Sequence, residues 1–227
     1  MTKSKVFFFL LLMIGSFFYF QPTQTRIRKT LLITGCARSG TNYIMKALKK
    51  TGILIGHESV RRDGVSSWLM AVDAEQVPEG DPRSGYQFDH VFHQVRHPLK
   101  VISSLYFTHL PENHTWEYIL KHAPEIQADD SHLVKCAKYW YYWNLKAEQE
   151  AEWTYRIEDI EQIWDEFGKR IRKKINREAV DSIPKNTNSL GPRERDFTWA
   201  DLKTQIDEDL YSNIQNLAER YGYSLSD

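Results

Sequence analysis

The apolar run at Leu31 to Ile33 is bounded by Thr34 and Gly35, too short for a helix and long enough for a buried strand. After the loop Gly35 to Thr41, apolar side chains recur at Tyr43, Ile44, Ala47 and Leu48, the spacing of a helix with one buried face. A second unit runs from Val91 to Tyr106, an apolar strand broken by Pro98 and continued as a helix. A third, Trp153 to Trp164, alternates and then turns helical at Glu158-Asp159. A short apolar run, Ile53 to Ile55, leads to His57 and Glu58, and a helix is predicted from Leu133 to Glu150. Asp73 to Asp89, with Pro78, Gly80, Pro82 and Gly85, and Asn186 to Arg195, with Gly191-Pro192, read as loops. Strands alternating with helices predict a three-layer α/β fold, a central and mainly parallel sheet with helices on both faces.

The N-terminal pattern is different. Val6 to Phe20 is uncharged and apolar, between Lys3 and Lys5 on one side and Arg26, Arg28 and Lys29 on the other. At 1.5 Å per residue such a run reaches about 22 Å, short of a hydrocarbon core of roughly 30 Å. A signal anchor that thins the bilayer or recruits its flanks is preferred, since no A-x-A site precedes Pro22; a cleaved signal peptide of a secreted or periplasmic protein is the alternative. Basic residues at both ends leave the topology open. The division expected is a membrane-targeting segment and linker over residues 1–29 and one domain over residues 30–227.

The formal charge of zero hides an asymmetry, because the first thirty residues hold five basic side chains and no acid. The rest is mildly acidic, which argues against nucleic-acid binding. The basic run Lys169 to Lys174 is expected in a helix as a solvated face, or as an attractor of an anionic glycan or membrane. Cys36 and Cys136 make no disulfide framework, and neither is a candidate nucleophile. The sequon at Asn113 has meaning only in a eukaryotic secretory lumen. The aromatics between Tyr139 and Trp143 read chiefly as core.

The loop Gly35-Cys36-Ala37-Arg38-Ser39-Gly40-Thr41 has the composition of an anion cradle, with glycines at its ends and a helix dipole behind it. A nucleotide-triphosphatase loop needs a lysine after the second glycine; here Thr41 follows Gly40 and the cation is Arg38. In this the loop resembles the PKSGT or PRSGT cofactor loop of the sulfotransferase superfamily, the arginine form being that of membrane-bound and tyrosine-protein enzymes. Arg96, Pro98 and Ser104 resemble the family's second motif, an arginine at a strand end with a serine eight residues on.

The resemblance implies a P-loop NTPase-like fold and a reaction in which 3′-phosphoadenosine 5′-phosphosulfate donates a sulfonyl group to a hydroxyl or amine, without a metal. It implies donor contacts from Arg38, Ser39, Gly40, Thr41, Asn42, Arg96 and Ser104, with Arg96 on the 3′-phosphate. Glu58, twenty residues after Arg38, resembles the catalytic glutamate of tyrosine-protein and heparan 3-O sulfotransferases, with Arg38 assisting at the bridging oxygen. His57 is the rival base, and pairing of Glu58 with Arg61 or Arg62 the structural alternative. Tyr43 stands where relatives stack a tryptophan on adenine, and Ile157-Glu158-Asp159 resembles YEDL with its tyrosine replaced. Arg193 and Arg195 are candidates for a late nucleotide cap. The acceptor, whether glycan, peptide or lipid, is not implied. A Golgi-type lumenal placement follows if the source is eukaryotic. The competing classes are a nucleotide kinase and an inactive, membrane-tethered nucleotide-binding protein.

Overall fold

A computed structural model describes residues 25–108, 114–181, 183 and 196–226. Five parallel strands form one sheet: β1 (Ile27–Thr34), β2 (Ile55–His57), β3 (Gly64–Ser66), β4 (Tyr86–Val95) and β5 (Trp153–Arg156), in the order β2-β3-β1-β4-β5. Eight helices are described: α1 (Thr41–Lys50), α2 (Pro98–Thr108), α3 (Thr115–His122), α4 (His132–Glu148), α5 (Ile160–Arg170), α6 (Arg177–Asp181), α7 (Trp199–Gln205) and α8 (Glu208–Arg220). The expected three-layer α/β architecture is present, and the sheet is parallel throughout.

The central strand shows why an unbroken apolar run becomes a strand here. Leu31 and Ile33 point to a core shared with Ile44 and Leu48 of α1 and Trp164 and Phe167 of α5. Leu32 points to the other face, against Val65 and Met70. A strand covered on both faces gains from apolar residues at every position. The larger core, on the far side of the sheet, joins α2, α3, α4, α7 and α8 through Leu105, Ile119, Trp140, Trp143, Leu202 and Ile214. Tyr139, Trp140 and Trp143 are fully buried, as the core reading of that helix required. Capping fixes several helix starts: Ser131 at α4, Asp207 at α8, and a reciprocal Thr198–Asp201 box at α7.

Three expectations are corrected. β1 begins at Ile27, ahead of the expected boundary at residue 30. β4 begins at Tyr86, inside the expected loop Asp73 to Asp89, because pairing with Ile27 to Lys29 of β1 extends it backwards. The basic run is not one helix: α5 ends at Arg170, Arg172 takes a left-handed φ of 54°, and the Lys173 amide closes on Gly168 O. The apolar run Val6 to Phe20, Asn113, Arg193 and Arg195 lie outside the described residues. No helix among the described residues is long and apolar enough to cross a membrane.

Candidate functional site

The C-terminal ends of all five strands open on one edge of the sheet. From β1 the chain leaves to α1 on one face, and from the neighbouring β4 it leaves to α2 on the other. Adjacent strands whose connections part in this way leave a crevice above their ends, the usual ligand position in open α/β sheets. The loop after β1 and Arg96 after β4 border that crevice.

The loop is held from both layers. Gly35 approaches β4 so closely that a Cβ there would stand 2.2 Å from Gln94 O, at a φ of 155°. The Ala37 amide donates to the Tyr139 hydroxyl of α4 at 3.0 Å. Gln94 Nε2 donates to Ser39 O at 2.8 Å and accepts from the Tyr155 hydroxyl at 2.7 Å through Oε1. Ser39 is fully buried, and both its hydroxyl and its amide donate to Cys36 O, at 2.6 and 3.2 Å. Ser39 therefore shapes the loop rather than presenting a donor to the crevice. Gly40, with φ 96°, precedes α1, whose start has no side-chain cap. The first-turn amides of Thr41 and Asn42 have no acceptor within the helix.

The two predicted arginines are linked through the backbone of the loop. Arg38, in a left-handed conformation at φ 70°, donates from Nε to Ser104 Oγ at 2.9 Å. Arg96 donates from Nη1 to the Arg38 carbonyl at 3.0 Å. Both guanidinium groups are half-buried, and Ser104 is fully buried on the first turns of α2. Arg96 thus rests on the backbone of the loop that carries Arg38, and the Arg38 side chain rests on α2, so both cationic residues belong to the same end of the sheet.

Glu58 stands at the end of β2, also at positive φ, 58°. Its amide donates to Ser66 O, and its carbonyl accepts from Asp81 N at 3.0 Å. A Cβ on Gly80 would fall 1.9 Å from that carbonyl, so glycine is required there. Ser67, just past β3, donates its hydroxyl to Glu58 Oε2. Oε1 is buried without a hydrogen-bond partner, 3.5 Å from His57 Nε2. Burial, and Glu79 nearby, push the Glu58 carboxyl up to about 7, with the Ser67 bond opposing the rise. His57 Nε2 is also 3.2 Å from Thr41 Oγ1, which joins the end of β2 to the first residue of α1. Burial, aided by Lys46, lowers the His57 pKa and keeps the ring neutral at pH 7.

Of the residues predicted as a site, Arg38, Ser39, Gly40, Thr41, Arg96 and Ser104 are thus bonded together or border one crevice, and Glu58 reaches it through His57. Asn42 lies on α1 with its Oδ1 buried and unpartnered. Glu58 pairs with neither Arg61 nor Arg62; Arg62 bonds Asp63 instead. Glu158 accepts from His97 N at 3.0 Å and the Tyr223 hydroxyl at 2.9 Å, a clamp from β5 to α2 and the C-terminal segment. Asp159 pairs with Arg156. Ile157 abuts the loop, within 3.1 Å of a Cβ built on Gly40. Tyr43 is half-buried against the α1–α5 core. Sequence reasoning missed Ser67, Gln94 and Tyr139; only Gln94, a polar residue inside an apolar strand, carried a visible signal. Among the described residues, no cluster of three His, Cys, Asp or Glu is placed to hold a metal. Comparison with protein-family models, with characterised proteins and with solved structures returns no match for this chain.

Proposed function

We propose that the chain is a sulfotransferase of P-loop-like fold, using 3′-phosphoadenosine 5′-phosphosulfate and an acceptor hydroxyl or amine, with Val6 to Phe20 as its membrane anchor. The single observation that carries this reading is the convergence of Arg38 and Arg96 on one crevice, linked through the Arg38 carbonyl, beside a strand tip bearing a carboxyl of raised pKa. Two cationic residues on neighbouring strand ends suit a ligand that carries two phosphates on one nucleoside.

The residues fit the donor in a definite way. The amides of Thr41 and Asn42 and the Arg38 guanidinium would hold the 5′ end; Arg96 and the Ser104 hydroxyl would hold the 3′-phosphate. When bound, the donor supplies a sulfonyl group on a phosphate anhydride. Glu58 then takes the proton of the acceptor O–H as the acceptor oxygen bonds to sulfur. Arg38 stabilises the electron pair left on the 5′-phosphate oxygen as the S–O bond breaks. His57 holds Glu58 and α1 in register. General-base assistance of this kind contributes roughly a hundred- to ten-thousandfold in rate.

Titration calorimetry of the full chain against adenosine 3′,5′-bisphosphate and ATP, followed by transfer of radiolabelled sulfate to glycans, peptides and lipids, tests the reading. Tighter binding of the bisphosphate and label on one acceptor class are expected. Preference for ATP would move the chain to the kinases, and binding of neither nucleotide would leave a tethered protein without this chemistry.

A further inference from the structure

The edge of the sheet opposite the strand tips gathers basic residues from three distant segments. α1 ends there in Lys49-Lys50, α5 ends in Lys169-Arg170 and continues to Lys174, and β3 is entered through Arg62-Asp63. Lys173 Nζ lies 3.3 Å from Asp63 Oδ1, while Arg62 donates to Gly52 O at 3.3 Å and pairs with Asp63 at 2.9 Å. These bonds hold the three segments together. Lys49, Lys50, Lys169, Arg172 and Lys174 are exposed and have no ion pair among the described residues. Arg172 keeps a charged side chain at a left-handed helix exit where glycine is the usual residue.

The acids on the β4–β5 side of the same edge do not offset this charge, because each has its own partner. Glu148 pairs with Arg220, Glu150 with Arg83, Glu152 with His90 and Asp89 with Arg28. Apolar exposure is concentrated here too: Ile27, 57% exposed, and Leu54, 36% exposed, are two of the three large apolar side chains open to solvent among the described residues. β1 enters four residues ahead of its first partner in β3, Gly64, so Ile27 projects about 13 Å beyond it at roughly 3.3 Å per residue. Residues 1–24, with the apolar run Val6 to Phe20, join the domain at this same edge.

We propose that this edge docks on an anionic bilayer surface, with the lysines of α1, the basic exit of α5 and Arg62 against lipid phosphates and Ile27 and Leu54 in the headgroup layer. Charge complementarity and the entry point of the apolar segment select lipid over a soluble polyanion as the occupant. Seven residue steps of β1 separate Ile27, at the tip of the docked edge, from the strand tip at Thr34 by about 23 Å at roughly 3.3 Å per residue. If the sulfonyl-transfer reading holds, the acceptor then approaches from the aqueous side. The docking itself does not depend on that reading.

The test uses the full chain reconstituted in vesicles of phosphatidylcholine, alone or with phosphatidylglycerol. Cys36 and Cys136 are buried, so a fluorophore can be placed at Lys174→Cys, and at Lys100→Cys on the opposite edge, and quenched by headgroup-labelled lipid. Docking predicts strong quenching at position 174 and little at 100 in the anionic vesicles. The signal at 174 should be lost in neutral vesicles and in high salt. Charge reversal at Lys49, Lys50, Lys169 and Arg172 should lower the docked-to-undocked ratio by roughly fivefold or more per residue. The salt titration needs no variant, so a folding defect in the charge-reversed protein leaves the test intact. Equal quenching at both positions, or quenching at 174 indifferent to lipid charge and salt, overturns the proposal. So does protection of the same lysines by a soluble sulfated polysaccharide without quenching by anionic vesicles.

Discussion

Glu58→Gln should make the protein more stable and less active, by amounts that depend on pH in a defined way. In the fold the carboxyl titrates at about 7, against an ordinary value of 4.5. Between those values the folded state keeps a proton that the unfolded state has released, so stability falls by about 1.4 kcal/mol per pH unit through this group. By pH 8 the accumulated cost is about 3 kcal/mol. Glutamine carries no such cost. Part of the gain is offset because the amide replaces the acceptor of the Ser67 hydroxyl, and because the glutamate side chain retains 14% of its surface in contact with solvent. A net gain of about 2 kcal/mol at pH 8 is expected, which for a domain of this size is roughly 4–8 °C in Tm.

Parallel thermal melts of the two proteins from pH 3.5 to pH 8.5 measure the difference directly. Below the unfolded carboxyl pKa the two Tm values should agree; the gap should open as pH rises and level off above 7. His57 and Glu79, which also face this carboxyl, are present in both proteins. A gap that does not change with pH, or a wild-type protein that is the more stable at pH 8, would refute the claim that Glu58 is held in a desolvated site. On the proposed mechanism the same substitution spares bisphosphate binding and lowers turnover roughly a hundred- to ten-thousandfold, while wild-type kcat/KM climbs with pH through about 7. An active Glu58→Gln protein would move the base to His57.

Arg96→Ala should weaken adenosine 3′,5′-bisphosphate roughly 10- to 150-fold, the scale of one lost charge-assisted contact, and leave adenosine 5′-phosphate nearly unchanged. Equal losses for both nucleotides in calorimetry would remove Arg96 from the 3′ subsite. Tyr139→Phe strands the Ala37 amide without its acceptor, costing about 1–3 kcal/mol, and should speed hydrogen exchange at that amide above its neighbours; unchanged exchange there would count against the brace. Gly35→Ala forces a Cβ to within 2.2 Å of Gln94 O and should yield no soluble folded protein, so a native circular dichroism spectrum would contradict the packing described.

The parts that were legible in the sequence are those specified by local pattern. A buried strand, a glycine-bounded turn and an amphipathic helix each have a local cause, and the β1–loop–α1 and β4–Pro98–α2 units are present as pattern put them, apart from the earlier starts of both strands. β3 was not legible, because Gly64-Val65-Ser66 has a single apolar side chain; it is a strand because β1 and β2 pair with it on either side. The α5 boundary failed for a similar reason. Lys169 to Lys174 has helical composition, but the chain must leave the helix so that Ile171 and Ile175 reach the core beneath it. The cationic and acidic residues of the site were readable, whereas their supports were not. Tyr139 lies 102 residues from the amide it receives, and Ser67 offers no pattern that a surface serine lacks.

Those supports explain why the candidate site needs so much of the fold. The loop after β1 holds Arg38 in a left-handed conformation, and Glu58 is held in another; such conformations cost about 1–3 kcal/mol each and persist only where the surroundings over-determine them. For the loop, one phenol reaches in from α4, in the larger core, and another from β5, on the α1–α5 side, through Gln94. For Glu58, Ser66 and Asp81 fix the backbone, Gly80 closes over the carbonyl, and Ser67 takes one carboxylate oxygen. The other oxygen remains without a hydrogen bond. A buried carboxyl oxygen left without a hydrogen bond by a rigid frame carries a desolvation cost, and on the proposed mechanism the acceptor's hydroxyl proton relieves it.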